Sequence, residues 1–153
     1  MNKRLVIRLQ SSILLIEAAA MLPSLLISII YRDGATHAFL KTIGLILLFA
    51  LPMHYFSRPI EKNLRAKEGF VTVGSAWVLL SVFGGLPFVF SGLLPRFEDA
   101  VFEAVSGFTT TGASVLTQFD NAPRGIMFWR SFTHWIGGMG VLVFLLTVLP
   151  MTG

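Results

Sequence analysis

The stretch FTTTGAS, residues 108–114, sits between two long stretches with almost no charge. Inside a membrane, small and hydroxylated residues of this kind offer one chemistry above others: their backbone carbonyl oxygens can replace the water around a cation. Extended backbone over Thr110, Thr111, Gly112 and Ala113 presents a ladder of such oxygens. Gly112 admits dihedral angles closed to residues with a side chain, so successive carbonyls can turn toward one axis. Two acids, Glu103 and Asp120, flank the stretch, and Arg130 follows it. Arg130 paired with either acid would brace the loop. On spacing alone, the loop fits an ion filter or a plug that merely fills a helix bundle.

Other chemistries fare worse. No Ser/His/Asp constellation, metal-spaced His/Glu cluster or phosphate-cradling glycine loop can be assembled, so no enzyme, resident metal or cofactor is expected. Ser106 and His134 are the nearest to a nucleophile and base, and nothing in the sequence brings them together. Cysteine is absent, which removes disulfides and thiolate ligands.

The elements that must position the loop follow from composition. Of 153 residues, 54% are hydrophobic and only 13% charged, against roughly a quarter charged in soluble domains. Segments 9–31, 38–56, 70–94 and 131–151 each approach the roughly 20 residues that cross a bilayer, and the last two contain no Asp, Glu, Lys or Arg. Gln10, Ser11, Ser12 and Glu17 interrupt the first, and its hydrophobicity runs on past Ala18–Ala20, so it reads as a retained helix and not a cleaved signal. The net charge of +4 collects at segment ends, which marks topology and not nucleic-acid binding. Lys3, Arg4 and Arg8 before the first segment, with Arg58, Lys62, Arg65 and Lys67 after the second, place both termini in the cytoplasm.

A short amphipathic helix precedes the loop. Glu98 and Asp99 suit its first turn, Gly107 suits its end, and from 97 to 106 it would reach about 15 Å, half a membrane. Entering from outside and stopping midway, it makes a re-entrant loop. Irregular backbone at that depth survives only if covered by protein or lining water.

FEAVSGFTTTGAS (102–114), followed by FWRSFTHWIGGMG (128–140) and preceded by GGLPF (84–88), resembles the first pore repeat of the Trk/Ktr/HKT potassium-transport superfamily, and in particular its TrkH-type subunits. The resemblance runs over essentially the whole chain. It implies an all-α integral membrane fold with an N-terminal hairpin (1–56), a cytoplasmic linker (57–68) and one pore repeat (69–153). The repeat would comprise an outer helix (70–94), a pore helix (96–107), a filter (108–114) and an inner helix (128–151). The resemblance also implies potassium uptake across a bacterial inner membrane, with Gly112 as the filter glycine and Thr110, Thr111 and Ala113 as its carbonyl-bearing neighbours. It implies pairing into homodimers and docking of a cytosolic TrkA-type nucleotide-binding ring.

The family arranges four such repeats around one pore, and this chain ends after the first. The expectation is therefore the N-terminal portion of a longer subunit. A four-copy assembly and a non-conducting structural or regulatory fragment are the alternatives. Outside the loop, Glu17 is expected to be structural, neutral or hydrogen-bonded to a neighbouring helix. His134 is expected to be interfacial or hydrogen-bonding, and Gly137, Gly138 and Gly140 to form a bare strip for close helix packing.

Overall fold

The computed structural model describes residues 3–57 and 66–148, and every regular element among them is helical. In chain order these are α1 (Lys3–Ala20), α2 (Leu22–Tyr31), α3 (Thr36–Phe56), α4 (Ala66–Phe90), α5 (Phe97–Phe108) and α6 (Arg124–Val148). The architecture is the all-α membrane one: a helical hairpin, then a long, a short and a long helix.

The expected boundaries shift at proline and at turns. The first segment starts at Lys3 and bends at Met21, dividing into α1 and α2. Pro23 lies in the first turn of α2, where it supplies no amide to the carbonyl one turn back. The rod nonetheless carries through, because the Met21 amide bonds back to the Glu17 carbonyl at 3.1 Å and the Met21 carbonyl accepts from Leu25 at 3.0 Å. α4 begins at Ala66, inside the expected linker, and ends at Phe90 instead of 94; residues 58–65 lie outside the described ones. α6 begins at Arg124, four residues before the expected 128, because Pro123 accepts its first helical bond, from Met127 at 3.0 Å. Residues 149–151 of the expected inner helix also lie outside the described ones.

Gly107 does not end the short helix. α5 continues through Phe108, and Gly107 is buried within it. A side-chain carbon at Gly107 would collide with Thr133 of α6, so this glycine serves close approach between helices.

Among the described residues, Lys3–Tyr31, Thr36–Phe56 and Glu68–Phe90 are long and apolar enough to cross a membrane. α6, at 25 residues, has the length, about 37 Å at 1.5 Å per residue. α5, with 12 residues, reaches about 18 Å and cannot cross. It is held between α4 and α6, while α1 packs on α3 and α4, and α2 on α6. Leu14, Met21, Phe39, Ile46, Phe88, Phe108, Ile126 and Trp129 form the core.

Polarity is distributed as lipid demands. Gln10, Ser11, Glu17, Ser24, Ser28, Thr42 and Thr133 are buried, whereas Ile16, Ile30, Leu48 and Phe56 are each more than two-thirds exposed. Hydrocarbon favours that arrangement: Gln10 and Ser11 bond to neighbouring helices, Thr42 and Thr133 to carbonyls of their own helices, and only the side chains of Glu17 and Ser24 in this group have no partner among the described residues.

Candidate filter loop and its brace

The loop's shape begins at the end of α5. The Thr111 amide bonds back to the Ser106 carbonyl at 2.9 Å, and the Thr110 amide to the Gly107 carbonyl at 2.9 Å. This paired pattern is the Schellman ending of a helix, whose left-handed position normally takes glycine. Here Thr110 occupies it, with φ of 58°. A β-branched residue in that region is strained. Gly112 follows with φ of 81°, the angle that the sequence anticipated for it. From Thr109 to Val115 the chain is exposed.

The four residues expected to bear ion-facing carbonyls are not equivalent. Among the described residues no hydrogen bond ends on the carbonyl oxygens of Thr110, Thr111 or Gly112. The Ala113 carbonyl instead accepts the Ser106 hydroxyl at 2.6 Å, which turns that oxygen back toward α5. The loop thus folds around Ser106, whose carbonyl and hydroxyl both hold it.

Beyond Ala113 the strand is fixed by Glu103. This carboxylate is fully buried on α5. It accepts the Arg130 Nε–H at 2.5 Å, the Ser114 hydroxyl at 3.0 and 3.1 Å, and the Val115 amide at 3.1 Å. Ser114 Oγ in turn accepts the Leu116 amide at 3.1 Å, and Leu116 is buried. Arg130 also lies over the Phe119 ring, 5.6 Å from its centre. Of the two acids considered for Arg130, the structure brings Glu103 to it. Asp120 is exposed and lines an open pocket of about 380 Å³ with Tyr31, Asp33 and Arg124.

The base of the loop is seated by close approaches. Gly137 lies against the Phe108 backbone so tightly that a Cβ there would overlap the carbonyl. Gly138 is looser, with Thr110 Cγ2 3.8 Å from such a carbon, and at Gly140 nothing lies within 4 Å. The expected strip therefore narrows to Gly137 among the described residues. On the other side a Cβ at Gly84 would stand 2.7 Å from the Phe108 ring and 3.0 Å from Glu17 Oε1. The Gly84 carbonyl accepts Trp129 Nε1–H at 2.9 Å, and the Phe108 and Trp129 rings meet edge to face.

Glu17 thus lies close to Gly84, beside the position where that residue faces the Phe108 ring. Neither of its oxygens has a hydrogen-bond partner among the described residues. His54 bonds to Ser11 and Lys41 lies over Phe90, so neither meets it. His134 directs Nδ1–H at the Arg130 carbonyl, 3.0 Å away, a hydrogen-bonding role within α6. The sequence alone offers Ser106 as a nucleophile and Ser114 as one of the loop's small residues, and marks neither as a hold on the loop. The signal was a hydroxyl at each end of the run of small residues, each within reach of nearby backbone.

Comparison with known proteins agrees with this geometry. Residues 36–153 match the family model TrkH, described as a cation transport protein. The chain is 36% identical to the Trk system potassium uptake protein TrkH of Halomonas elongata, and 36% identical to that of Escherichia coli K12. In both cases all of this chain aligns to 32% of the relative. It superimposes on the crystal structure of the potassium transporter TrkH from Vibrio parahaemolyticus with a TM-score of 0.91 at 35% identity, covering 98% of this chain and 32% of that one. The chain therefore spans about a third of the length of these relatives. With its hairpin, short dead-ending helix and braced glycine loop, it belongs to the TrkH family.

Proposed function

We propose that this chain supplies the first of four filter loops in a potassium uptake protein of the bacterial inner membrane, with its N-terminus cytoplasmic. The observation that carries the proposal is the loop 109–115, irregular and uncovered by this chain, at the end of a helix too short to cross. In a bilayer such backbone needs a water-filled path or further protein beside it, and a ring of loops supplies both.

Thr110, Thr111 and Gly112 give the ring this chain's carbonyl oxygens. Ala113 contributes less, because its oxygen is engaged by Ser106. The carboxyl end of α5 adds its partial negative charge on the same side. Glu103 and Arg130 act as the brace that keeps the strand from collapsing when no ion is present. The membrane potential drives entry, at about 2.3 kcal/mol per charge per 100 mV. The names of the relatives, potassium uptake proteins and a potassium transporter, support the choice of ion. Dimerisation and docking of a TrkA-type nucleotide-binding ring complete the proposal. No enzymatic step is included.

The test is a chimera in which this chain replaces the corresponding first third of the Vibrio parahaemolyticus relative. Expressed in cells lacking potassium uptake, it should restore growth at low potassium and take up rubidium. Gly112→Ser should abolish that uptake or let sodium through. Unaltered uptake and selectivity in Gly112→Ser would count against the filter role. Uptake by this chain alone would favour a four-copy channel over the proposal. Loss of uptake in a chimera that folds and reaches the membrane would leave the non-conducting bundle.

A further inference from the structure

The loop is held by Ser106 and Glu103 of α5, with Gly137 of α6 and Gly84 of α4 against Phe108 at its base. The turn between α2 and α3 nevertheless reaches the inner helix. Asp33 Oδ2 accepts the Gly125 amide at 2.7 Å, across 92 positions of sequence, while Oδ1 accepts the Ala35 amide at 3.0 Å and the Ser28 hydroxyl. Gly125 is the second residue of α6, and its amide is one of the four at a helix start that have no partner within their own helix. A carboxylate there satisfies the amide and complements the positive end of the helix dipole. α6 is therefore capped from another part of the chain.

Two further contacts fix the same end. The Arg124 guanidinium lies over the Tyr31 ring, 4.3 Å from its centre. Gly125 is pressed so closely on α2 that a Cβ would stand 2.8 Å from Ser28 Cβ and 2.9 Å from the Ser24 carbonyl. Five residues further along, about 7 Å at helical rise, α6 presents Arg130 to Glu103. Thr133 and Gly137 then meet α5 one and two turns later. A helix is stiff over that distance, so the height and rotation of Arg130 are set where α6 begins.

We propose that Asp33 is a positioning residue for the filter loop: by capping α6 from the hairpin it holds Arg130 in register with Glu103, and through Glu103 it holds residues 114 and 115. The effect on ion selection rests on the function proposed above; the effect on loop position does not. The hairpin, which lies outside the pore repeat, thereby acquires a task in the pore.

The experiment uses the chimera with the cysteines of its remaining two-thirds replaced, since this chain has none of its own. Thr111→Cys provides the reporter, read as the rate of modification by a water-soluble thiol reagent, beside the rubidium-to-sodium uptake ratio. Asp33→Ala should change the modification rate about tenfold and lower the uptake ratio. Asp33→Asn, which retains one oxygen acceptor, should recover part of both. Arg32→Gln, which changes the exposed neighbour of Asp33 in the same turn, should leave both unchanged.

Equal rates in wild type, Asp33→Ala and Asp33→Asn overturn the proposal. A change of the same size in Arg32→Gln also overturns it, because any disturbance of the turn would then suffice. If Asp33→Ala does not accumulate in the membrane, Asp33→Asn decides by the same two readings. If labelling responds as expected while the unmutated chimera transports nothing, the positioning role stands and the proposed function falls.

Discussion

At Thr110 the loop departs furthest from what its residue type prefers. Left-handed backbone costs an L-residue about 1–2 kcal/mol, so Thr110→Gly should stabilise the protein by about 1 kcal/mol, seen as a higher unfolding temperature in detergent. The same change loosens the loop, and ion selection should weaken as stability rises. Arg130→Gln runs the other way. It leaves Glu103 buried with only Ser114 and Val115 as donors, and removing one partner of a buried pair costs about 3 kcal/mol or more. Unchanged unfolding and uptake in Arg130→Gln would dispose of the brace. Legibility in the sequence was uneven at this scale. Gly112 announces a positive φ by its type, whereas a threonine at that angle contradicts its own preference and cannot be read in advance. Arg130 declared that it needed an acid; which acid depended on α5 and α6 lying side by side, a fact of packing.

Among the elements, existence was legible and ends were not. Hydropathy located each long helix, because lipid selects about 20 apolar residues whatever their neighbours. The ends were set instead by Pro23, Pro123 and the Schellman pattern at Thr110. Helix contacts carry their own test. Gly137→Ala forces a methyl group onto the Phe108 backbone, and overpacking of this kind costs about 1–3 kcal/mol, measurable by denaturant titration in mixed micelles. The turn between α2 and α3 should respond to acid. Burial pushes the Asp33 carboxyl up, but the Ser28 hydroxyl and the amides of Gly125, Ala35 and Asp33 itself outweigh burial and hold it below its ordinary value. A depressed folded pKa contributes stability that is present above the unfolded value, about 3.9 for Asp, and is lost as pH falls through the folded value. Unfolding temperature should therefore drop between about pH 4 and lower values, and Asp33→Asn should flatten that part of the profile.

For the molecule as a whole, composition fixed the solvent before any element was assigned. With 13% charged residues the chain cannot coat itself for water, and the buried serines and exposed leucines follow from that. What composition could not supply is the cover for residues 109–115. If the remaining repeats provide it, Ser114→Cys should react more slowly with a membrane-impermeant thiol reagent in the chimera than in this chain by itself. Equal rates would mean that the loop meets the same surroundings with or without its proposed neighbours.

The contact between Gly107 and Thr133 has a consequence for descent. No single added carbon fits at the first position while the second keeps its branched side chain, so mutations at the two sites are viable chiefly in company. A lineage that acquires alanine at 107 must first, or at once, shrink 133. The two helices are obliged to drift together, and α5 cannot explore new sequences faster than α6 permits.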